Sequence, residues 1–289
     1  MIGVLCTIWG FNWVIMKLGN GAFPPVLFAA YRFLVGGLVL LLIAYYKKVL
    51  IPNKRDFKWF VVCGFLQTTY FNIAIQISLN WISAGLTSVL TYSMPFYLSL
   101  MAHFFIPGEK LTTRKTVGIV IGIVGLFIAM DVHLGGAFWA LILALTSGIS
   151  WALSNVIIKR KLQHCNNIQF TTWQMVIGAV GLLLYSLFFE HGASHWNMLP
   201  IFYVLFAGVV ASSLAFVLWY HILSNTEASK ASISLLLVPV IGILSGVLVL
   251  HETLKLMTAI GIVCVLAGIW IVNSKSGKPA VTASVNSSY

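Results

Sequence analysis

The chain has 289 residues, of which 60% are hydrophobic and only 8% are charged. Soluble domains carry roughly 45–50% apolar and about 25% charged residues, so this composition excludes an ordinary water-soluble core. The net charge of +11 would favour nucleic acid as a partner in a soluble protein, but here the basic residues lie in short loops beside apolar runs. We therefore predict an all-α integral membrane protein that contacts the lipid bilayer and does not bind nucleic acid.

Long apolar runs recur along the whole chain. A helix rises about 1.5 Å per residue, so runs of about 20 residues cross a hydrocarbon layer of about 30 Å. The first run has no basic segment before it and no small-residue cleavage site after it, and we interpret it as a spanning helix, not a signal peptide. The sequence predicts ten transmembrane helices, at 2–19, 26–46, 57–79, 83–105, 115–131, 136–158, 168–189, 198–222, 229–250 and 255–272.

The distribution of lysine and arginine predicts the orientation of these helices. If the N-terminus is cytoplasmic, fourteen basic residues fall in the inside loops, and only Lys17 and Lys255 fall at outside ends. Such an excess is typical of cytoplasmic loops. We therefore expect a multi-pass protein of the bacterial plasma membrane with both termini in the cytoplasm and a polar, disordered tail at 273–289.

The second half of the sequence repeats the first. Residues 9–48 align with 151–190 at a constant offset of 142, and later matches keep the same order along the chain. Five spans in each half are an odd number, so the second half enters the membrane in the opposite direction. We predict two inverted five-helix repeats, at 1–131 and 136–272. Matched pairs include Trp9/Trp151, Lys17/Lys159, Phe28/Phe170, Gly36/Gly178, Pro95/Pro239 and Glu109/Glu252.

Several short motifs occur in a fixed order along the chain. They are Trp9, Gly10, Asn12 and Lys17 in the first span, Phe28 and Arg32 in the second, the central Pro95 and Pro239, and the turns at Glu109 and Glu252.

In this order the motifs resemble the EamA-type transporters of the drug/metabolite transporter superfamily, over residues 1 to about 272. The resemblance implies a secondary transporter that exports small metabolites, with amino acids and related compounds as the usual class, or drug-like molecules. One departure is that the first span lacks roughly six residues at its start when it is aligned with its repeat partner.

Arg32 is the most informative single residue, because it lies inside a predicted span and no Asp or Glu falls in the interior of any predicted span to pair with it. An intramembrane arginine indicates a functional site. Its guanidinium either holds a substrate carboxylate through paired hydrogen bonds, or it bonds to free carbonyls and ties helices together. Its repeat partner is Gln174, which we expect at the mirror depth of the bilayer.

Other polar and aromatic residues of the spans are candidates for a shared central cavity. Hydroxyl and amide groups in spans often bond to neighbouring helices, and aromatic rings often only fill space, so a structural role is the alternative for each. The candidate substrate-binding residues besides Arg32 and Gln174 are Trp9, Asn12, Gln67, Tyr70, Tyr92, Trp151 and Asn155.

Pro95 and Pro239 fall near the centres of the predicted fourth and ninth spans. A proline inside a helix removes one hydrogen bond and leaves the carbonyl four residues earlier, at Thr91 and Leu235, without its usual partner. Two such kinks at related positions predict hinges that line a transport pathway, although packing alone also explains prolines in spanning helices.

The fifth and tenth predicted spans contain glycines and almost no polar residues, which favours close helix contact and a homodimer through these helices. The four cysteines have no metal-binding spacing, and no cofactor or metal site is indicated. Rival functions are a channel, which would need rings of polar groups from an oligomer, and an intramembrane enzyme, for which no catalytic constellation is visible.

Overall fold

The computed structural model describes residues 1–106, 110–129, 137–225, 235 and 237–273. Within these ranges every regular element is a helix, which confirms the predicted all-α class. Glu109, most of 226–236 and the tail beyond Asn273 lie outside the described residues. Six of the described helices are long and apolar enough to cross a membrane: Ile2–Asn20, Pro25–Tyr46, Lys54–Leu79, Phe138–Lys161, Asn167–Phe189 and Met198–Ile222.

Thirteen α-helices of the described residues are numbered here in chain order, and all of them overlap the predicted spans. Two π-helical segments, Phe65–Tyr70 and Phe206–Leu214, join α3 to α4 and α10 to α11. The helices are α1 Ile2–Asn20, α2 Pro25–Tyr46, α3 Lys54–Gly64, α4 Phe71–Leu79, α5 Ala84–Thr91, α6 Met94–Phe105, α7 Thr113–Ala129, α8 Phe138–Lys161, α9 Asn167–Phe189, α10 Met198–Leu205, α11 Ala215–Asn225, α12 Leu237–Leu250 and α13 Leu256–Asn273.

Helix contacts between the two halves of the chain come in related pairs. Helix α1 packs on α12, and α8 packs on α5 and α6. Helix α2 packs on the π segment Phe206–Leu214, and α9 packs on the π segment Phe65–Tyr70. Helix α2 also packs directly on α9, and α7 on α13. Each half therefore meets the other through elements at aligned positions.

Two aligned glycines allow the closest of these contacts. A Cβ atom on Gly36 would lie 2.8 Å from the carbonyl oxygen of Gly208 in the second π segment, and one on Gly178 would collide with Thr68 in the first. The Ser213 hydroxyl donates to the Gly36 carbonyl at 2.8 Å, and the Thr69 hydroxyl donates to the Gly178 carbonyl at 3.1 Å. Small residues and hydroxyls are the usual means of close helix contact in a bilayer.

The glycines of the fifth and tenth predicted spans face each other inside one chain. A Cβ atom on Gly268 would lie 2.6 Å from the carbonyl oxygen of Gly118, and one on Gly125 would lie 2.7 Å from the Cβ of Cys264. The glycine-rich faces of α7 and α13 are thus already occupied by each other. The outward faces of the two helices are apolar and exposed, with Val120, Phe127 and Val263 among their residues.

Pro95 and Pro239 both stand in the first turn of a helix that follows a break, where a proline costs no hydrogen bond. The chain breaks at Tyr92 and Ser93 before α6, and α12 begins at Leu237. The Leu235 carbonyl, for which Pro239 has no N–H to offer, accepts a hydrogen bond from Val238 N at 3.0 Å instead. At Thr91, a Cβ atom on Gly148 would lie only 2.9 Å from the carbonyl oxygen, so α8 passes close to the break.

The lysine-rich segments 47–58, which runs into the start of α3, and 159–165, which follows from the end of α8, meet at one end of the molecule, called here the basic end. Asp56 Oδ2 lies 2.9 Å from His164 Nε2, and the indole of Trp173, on the adjoining α9, donates to the Leu50 carbonyl at 2.7 Å. At the opposite end, Lys17 pairs with Glu252 at 3.0 Å. The sequence assigned both lysine-rich loops to the same side of the membrane, and in the structure they are in contact.

Candidate functional site

A narrow cavity lies where α1, α2, α4 and the first π segment of the first half meet α8 and α11 of the second half. The space open to water in it is about 50 Å³. A water molecule needs about 10–15 Å³ by this measure, so the cavity has room for a few waters. Its walls combine aromatic rings with a small number of polar side chains. The lining residues are Trp9, Asn12, Trp13, Met16, Arg32, Phe33, Gln67, Phe71, Ile75, Tyr92, Trp151 and Phe216.

Arg32 reaches this cavity from α2 and is only 4% exposed. Its Nη1 contacts the sulfur of Met16 at 2.6 Å, and its Cζ lies 4.6 Å from the centre of the Phe33 ring. Its Nε has no hydrogen-bond partner. None of the described residues that line the cavity is acidic. A polarizable sulfur and a ring face stabilise the cation only weakly, so an anion that entered the cavity would be the best available partner.

Three further cavity residues carry buried polar atoms without partners. They are the amide oxygen of Asn12, the amide nitrogen of Gln67 and the indole nitrogen of Trp151. Buried polar groups are nearly always hydrogen-bonded in native proteins, and each orphan costs about 1–3 kcal/mol. With Arg32 Nε, the cavity therefore offers three donors and one acceptor to water or to a polar solute.

Aromatic rings form the remaining wall. Trp151 makes edge contacts with Trp9, Phe71 and Tyr92, at ring-centre distances of 6.3, 5.6 and 5.3 Å. The ring of Trp9 also contacts Phe216 at 5.4 Å, and its indole donates to the Ala211 carbonyl at 3.0 Å. Edge-to-face clusters of this kind present a rigid apolar surface to a ligand.

The structure brings six of the predicted binding residues to this cavity and leaves three elsewhere. Tyr70 donates from its hydroxyl to Thr146 Oγ1 at 2.9 Å. Asn155 directs its amide nitrogen towards the sulfur of Met94 at 3.8 Å. The Gln174 amide accepts from the Tyr220 hydroxyl at 2.9 Å and donates to Thr68 Oγ1 at 3.4 Å. The six at the cavity are Trp9, Asn12, Arg32, Gln67, Tyr92 and Trp151.

Six lining residues were not among the sequence-based candidates. Two of them could have been predicted from the sequence. Trp13 and Met16 lie four residues after Trp9 and Asn12, a spacing that places side chains on the same face of a helix. Phe33 is adjacent to Arg32. No local pattern distinguishes Phe71, Ile75 and Phe216 from other apolar residues of the spans.

A protein-family profile covers nearly the whole chain, in two segments at residues 1–130 and 138–274. The family is described as the EamA-like transporter family. The chain belongs to this family. EamA-like proteins are transporters, so the chain is a multi-pass membrane transporter and not an enzyme.

Relatives of known name agree with this membership. The chain is 31% identical over 279 residues to the uncharacterized transporter YoaV of Bacillus subtilis, a match that covers 94% of this chain and 95% of the relative. It is 28% identical over 281 residues to a probable amino-acid metabolite efflux pump of Salmonella typhimurium, covering 93% and 92%. A solved crystal structure at 19% identity covers 94% of this chain and 95% of the other with a TM-score of 0.71, which shows a shared fold.

Proposed function

We propose that this EamA-like protein exports a small metabolite that carries a carboxylate and an apolar body, such as an amino acid or a related compound, across the bacterial plasma membrane. The observation that carries the proposal is the cavity in which Arg32 lies buried and in which none of the described lining residues is acidic. The probable amino-acid metabolite efflux pump of Salmonella typhimurium supports the substrate class, and a drug-like carboxylic acid fits the same chemistry.

Each group of the substrate finds a complementary side chain in the cavity. The carboxylate binds the guanidinium of Arg32, for which a planar fork of donors is well suited. An amine donates to the unpartnered oxygen of Asn12, and the indole of Trp151 and the amide of Gln67 donate to remaining acceptors. The apolar body packs against the aromatic wall.

Transport proceeds by alternating access of two inverted five-helix repeats, at 1–131 and 136–272, with the cavity between them. The paired contacts between halves and the aligned glycines at Gly36 and Gly178 support this arrangement. The breaks before Pro95 and Pro239 are the proposed hinges. The basic end, with both termini, faces the cytoplasm by the positive-inside rule.

The size of the cavity favours a carrier over a channel. Space for a few waters does not admit a metabolite, so the helices must separate before a substrate can enter or leave. A channel would require a continuous pore lined with polar groups, whereas this cavity is mostly walled by aromatic and apolar side chains.

A homodimer, if it forms through α7 and α13, uses the outward faces of these helices. Their glycines are occupied within the chain, and Val120, Phe127 and Val263 supply an exposed apolar surface. Phe127→Arg should then lower the mass measured in detergent from that of a dimer to that of a monomer, whereas Gly268→Ala should lower stability without changing that mass.

The test begins with a screen for metabolites excreted by cells that overproduce the protein, followed by counterflow in proteoliposomes with the labelled compound. We expect saturable counterflow that requires substrate on both sides of the membrane. Arg55→Ala, at an exposed position of the basic end, is the matched control for Arg32→Ala. Large unitary currents, or wild-type counterflow with Arg32→Ala, would contradict the proposal.

A further inference from the structure

Three potential metal ligands of different chemistry meet at the basic end, although the sequence indicated no metal site. Asp56 lies in the first turn of α3, and His164 and Cys165 lie in the loop between α8 and α9. Asp56 Oδ2 is 2.9 Å from His164 Nε2 and 3.9 Å from Cys165 Sγ, and the sulfur is 3.7 Å from the same imidazole nitrogen. The three ligand atoms therefore form a compact triangle.

The dimensions of this triangle match those around a tetrahedral cation. Zinc binds nitrogen and oxygen at about 2.0–2.2 Å and sulfur at about 2.3 Å. Tetrahedral angles then separate a nitrogen from an oxygen by about 3.4 Å, and sulfur from either by about 3.6 Å. The observed distances differ from these by about half an ångström or less, so small side-chain rotations suffice to close the site.

We propose that Asp56, His164 and Cys165 bind a zinc-type divalent cation, with water as the fourth ligand. One thiol, one imidazole and one carboxylate are a ligand set for zinc, cobalt or nickel, because Mg²⁺ and Ca²⁺ prefer oxygen ligands alone. In the bound state the cation takes the place of the hydrogen bond between Asp56 and His164. The neutral imidazole binds it through Nε2 and carries its proton on Nδ1, the carboxylate binds through Oδ2, and the Cys165 thiol releases its proton to solvent as the metal–sulfur bond forms.

The surroundings of the triangle define how a cation would reach it. The His164 side chain is 65% exposed, whereas that of Asp56 is 11% exposed, so an ion enters from water past the imidazole and meets a carboxylate that is already held in place. Burial and the Asp56 carboxylate raise the pKa of the Cys165 thiol above its ordinary value.

Neighbouring charges argue against a site held by electrostatics alone. Lys54 and Arg55 precede Asp56 in the chain and are exposed at the same end, so the local field repels divalent cations. Affinity must come from coordination bonds to nitrogen and sulfur. This selects for zinc-type cations over the more abundant hard cations.

Binding would also tie the two halves of the transporter together, a consequence that rests on the proposed alternating access. Asp56 belongs to the first repeat, and His164 and Cys165 belong to the second. A cation that bridges them keeps the basic end closed, because separation of the halves would break at least one coordination bond. The site is therefore an inhibitory zinc switch on the cytoplasmic side.

The binding test uses Co²⁺ as a spectroscopic substitute for zinc on the full-length protein in detergent, with any histidine purification tag removed. We expect one equivalent of Co²⁺ to give a thiolate-to-cobalt charge-transfer absorption and visible bands of tetrahedral intensity, both removed by Zn²⁺. Cys165→Ser should abolish the charge-transfer band, and Cys264→Ser should keep it. Asp56→Asn should weaken binding by at least about 10-fold, since loss of even an indirect contact costs about 10–100-fold. Absence of the band in the wild type, or its persistence in Cys165→Ser, overturns the site.

The regulatory consequence is tested separately in proteoliposomes. Zn²⁺ added to the side of the basic end should inhibit counterflow in the wild type and not in Cys165→Ser. A cobalt spectrum without any counterflow would refute the proposed function and leave the metal site standing. Counterflow that Zn²⁺ inhibits equally in both proteins would refute the switch.

Discussion

Arg32 and Gln174 occupy aligned positions on α2 and α9, yet only one of them lines the cavity. Gln174 has its amide oxygen and nitrogen both bonded, to Tyr220 and Thr68. Arg32 lines the cavity, and its Nε has no hydrogen-bond partner. Around them the helix contacts are alike, because Gly36 and Gly178 each receive a π segment of the other half. The two repeats thus make the same helix contacts at aligned positions, but the hydrogen bonding of their aligned polar side chains differs.

Trp9 and Trp151 are a second aligned pair whose hydrogen bonding differs between the two repeats. Both rings line the cavity, but the Trp9 indole is bonded to the Ala211 carbonyl, whereas that of Trp151 has no partner. A bonded indole holds a helix contact, and an unbonded one is available to a ligand. The first half therefore contributes the charge, and the second contributes a neutral donor.

The largest expected effect follows from removal of the charge. Arg32→Gln places at position 32 the residue type that the second repeat has at the aligned position 174. We expect it to weaken binding of a carboxylate substrate by about 2–5 kcal/mol, because a buried charged partner of the substrate is lost. This corresponds to roughly 30-fold or more in the half-saturating concentration of counterflow. Arg32→Lys should retain part of the affinity, because it keeps the charge and loses the paired hydrogen bonds.

The thermal unfolding temperature in detergent separates this effect from misfolding. Arg32→Gln removes a buried charge that has no acidic partner, so its unfolding temperature should equal or exceed that of the wild type. A variant that unfolds at a lower temperature and still transports with wild-type affinity would show that Arg32 ties helices together.

The reverse exchange should damage stability instead of transport affinity. Gln174→Arg places a cation at a fully buried position whose observed partners are hydroxyl groups. A central arginine costs about 2.5–3.5 kcal/mol in a transmembrane helix. Gln174→Met, which removes the same hydrogen bonds without adding charge, is the matched control. Equal unfolding temperatures for the two variants would mean that the second half tolerates a cation as well as the first.

Six of the nine residues proposed from the sequence line the cavity, and three do not. The candidates Trp9, Asn12 and Trp151 on α1 and α8 line the cavity, whereas Trp13 of α1 was not a candidate and Asn155 of α8 directs its amide towards Met94. Tyr70 was assigned to the cavity with Gln67, but a π segment between Phe65 and Tyr70 has a wider turn, and the Tyr70 hydroxyl bonds to Thr146 instead.

Contacts that are distant in sequence were beyond prediction for a different reason. Asp56 lies 108 residues from His164, and no spacing rule connects a helix start with a loop in the other half. The glycines of α7 and α13 predicted close helix contact, and these helices do pack closely on each other. The sequence alone could not distinguish a contact within one chain from a contact between two chains.

The two indoles should respond differently to substitution by phenylalanine. Trp9→Phe leaves the Ala211 carbonyl without its donor and should lower the free energy of unfolding by about 1–2 kcal/mol. Trp151→Phe removes an orphan donor, so stability should be unchanged, while substrate affinity falls by about 1 kcal/mol, roughly fivefold, if the indole donates to the substrate. Thermal unfolding and counterflow measured on both variants test the pair, and a larger stability loss for Trp151→Phe would reverse the assignment.

The smallest effects concern the starts of α2 and α9, which are capped in different ways. Glu190, from the second half, accepts hydrogen bonds at 2.8 Å from the amides of both Val26 and Leu27, whereas α9 is capped by its own Asn166. Each cap satisfies free N–H groups of a helix start and is worth about 1 kcal/mol.

Glu190→Ala and Asn166→Ala should therefore lower stability by similar amounts. Only Glu190→Ala also removes a bond between the halves, so it alone should change the rate of counterflow. A rate change of equal size in Asn166→Ala would mean that helix capping, and not the contact between halves, limits the motion.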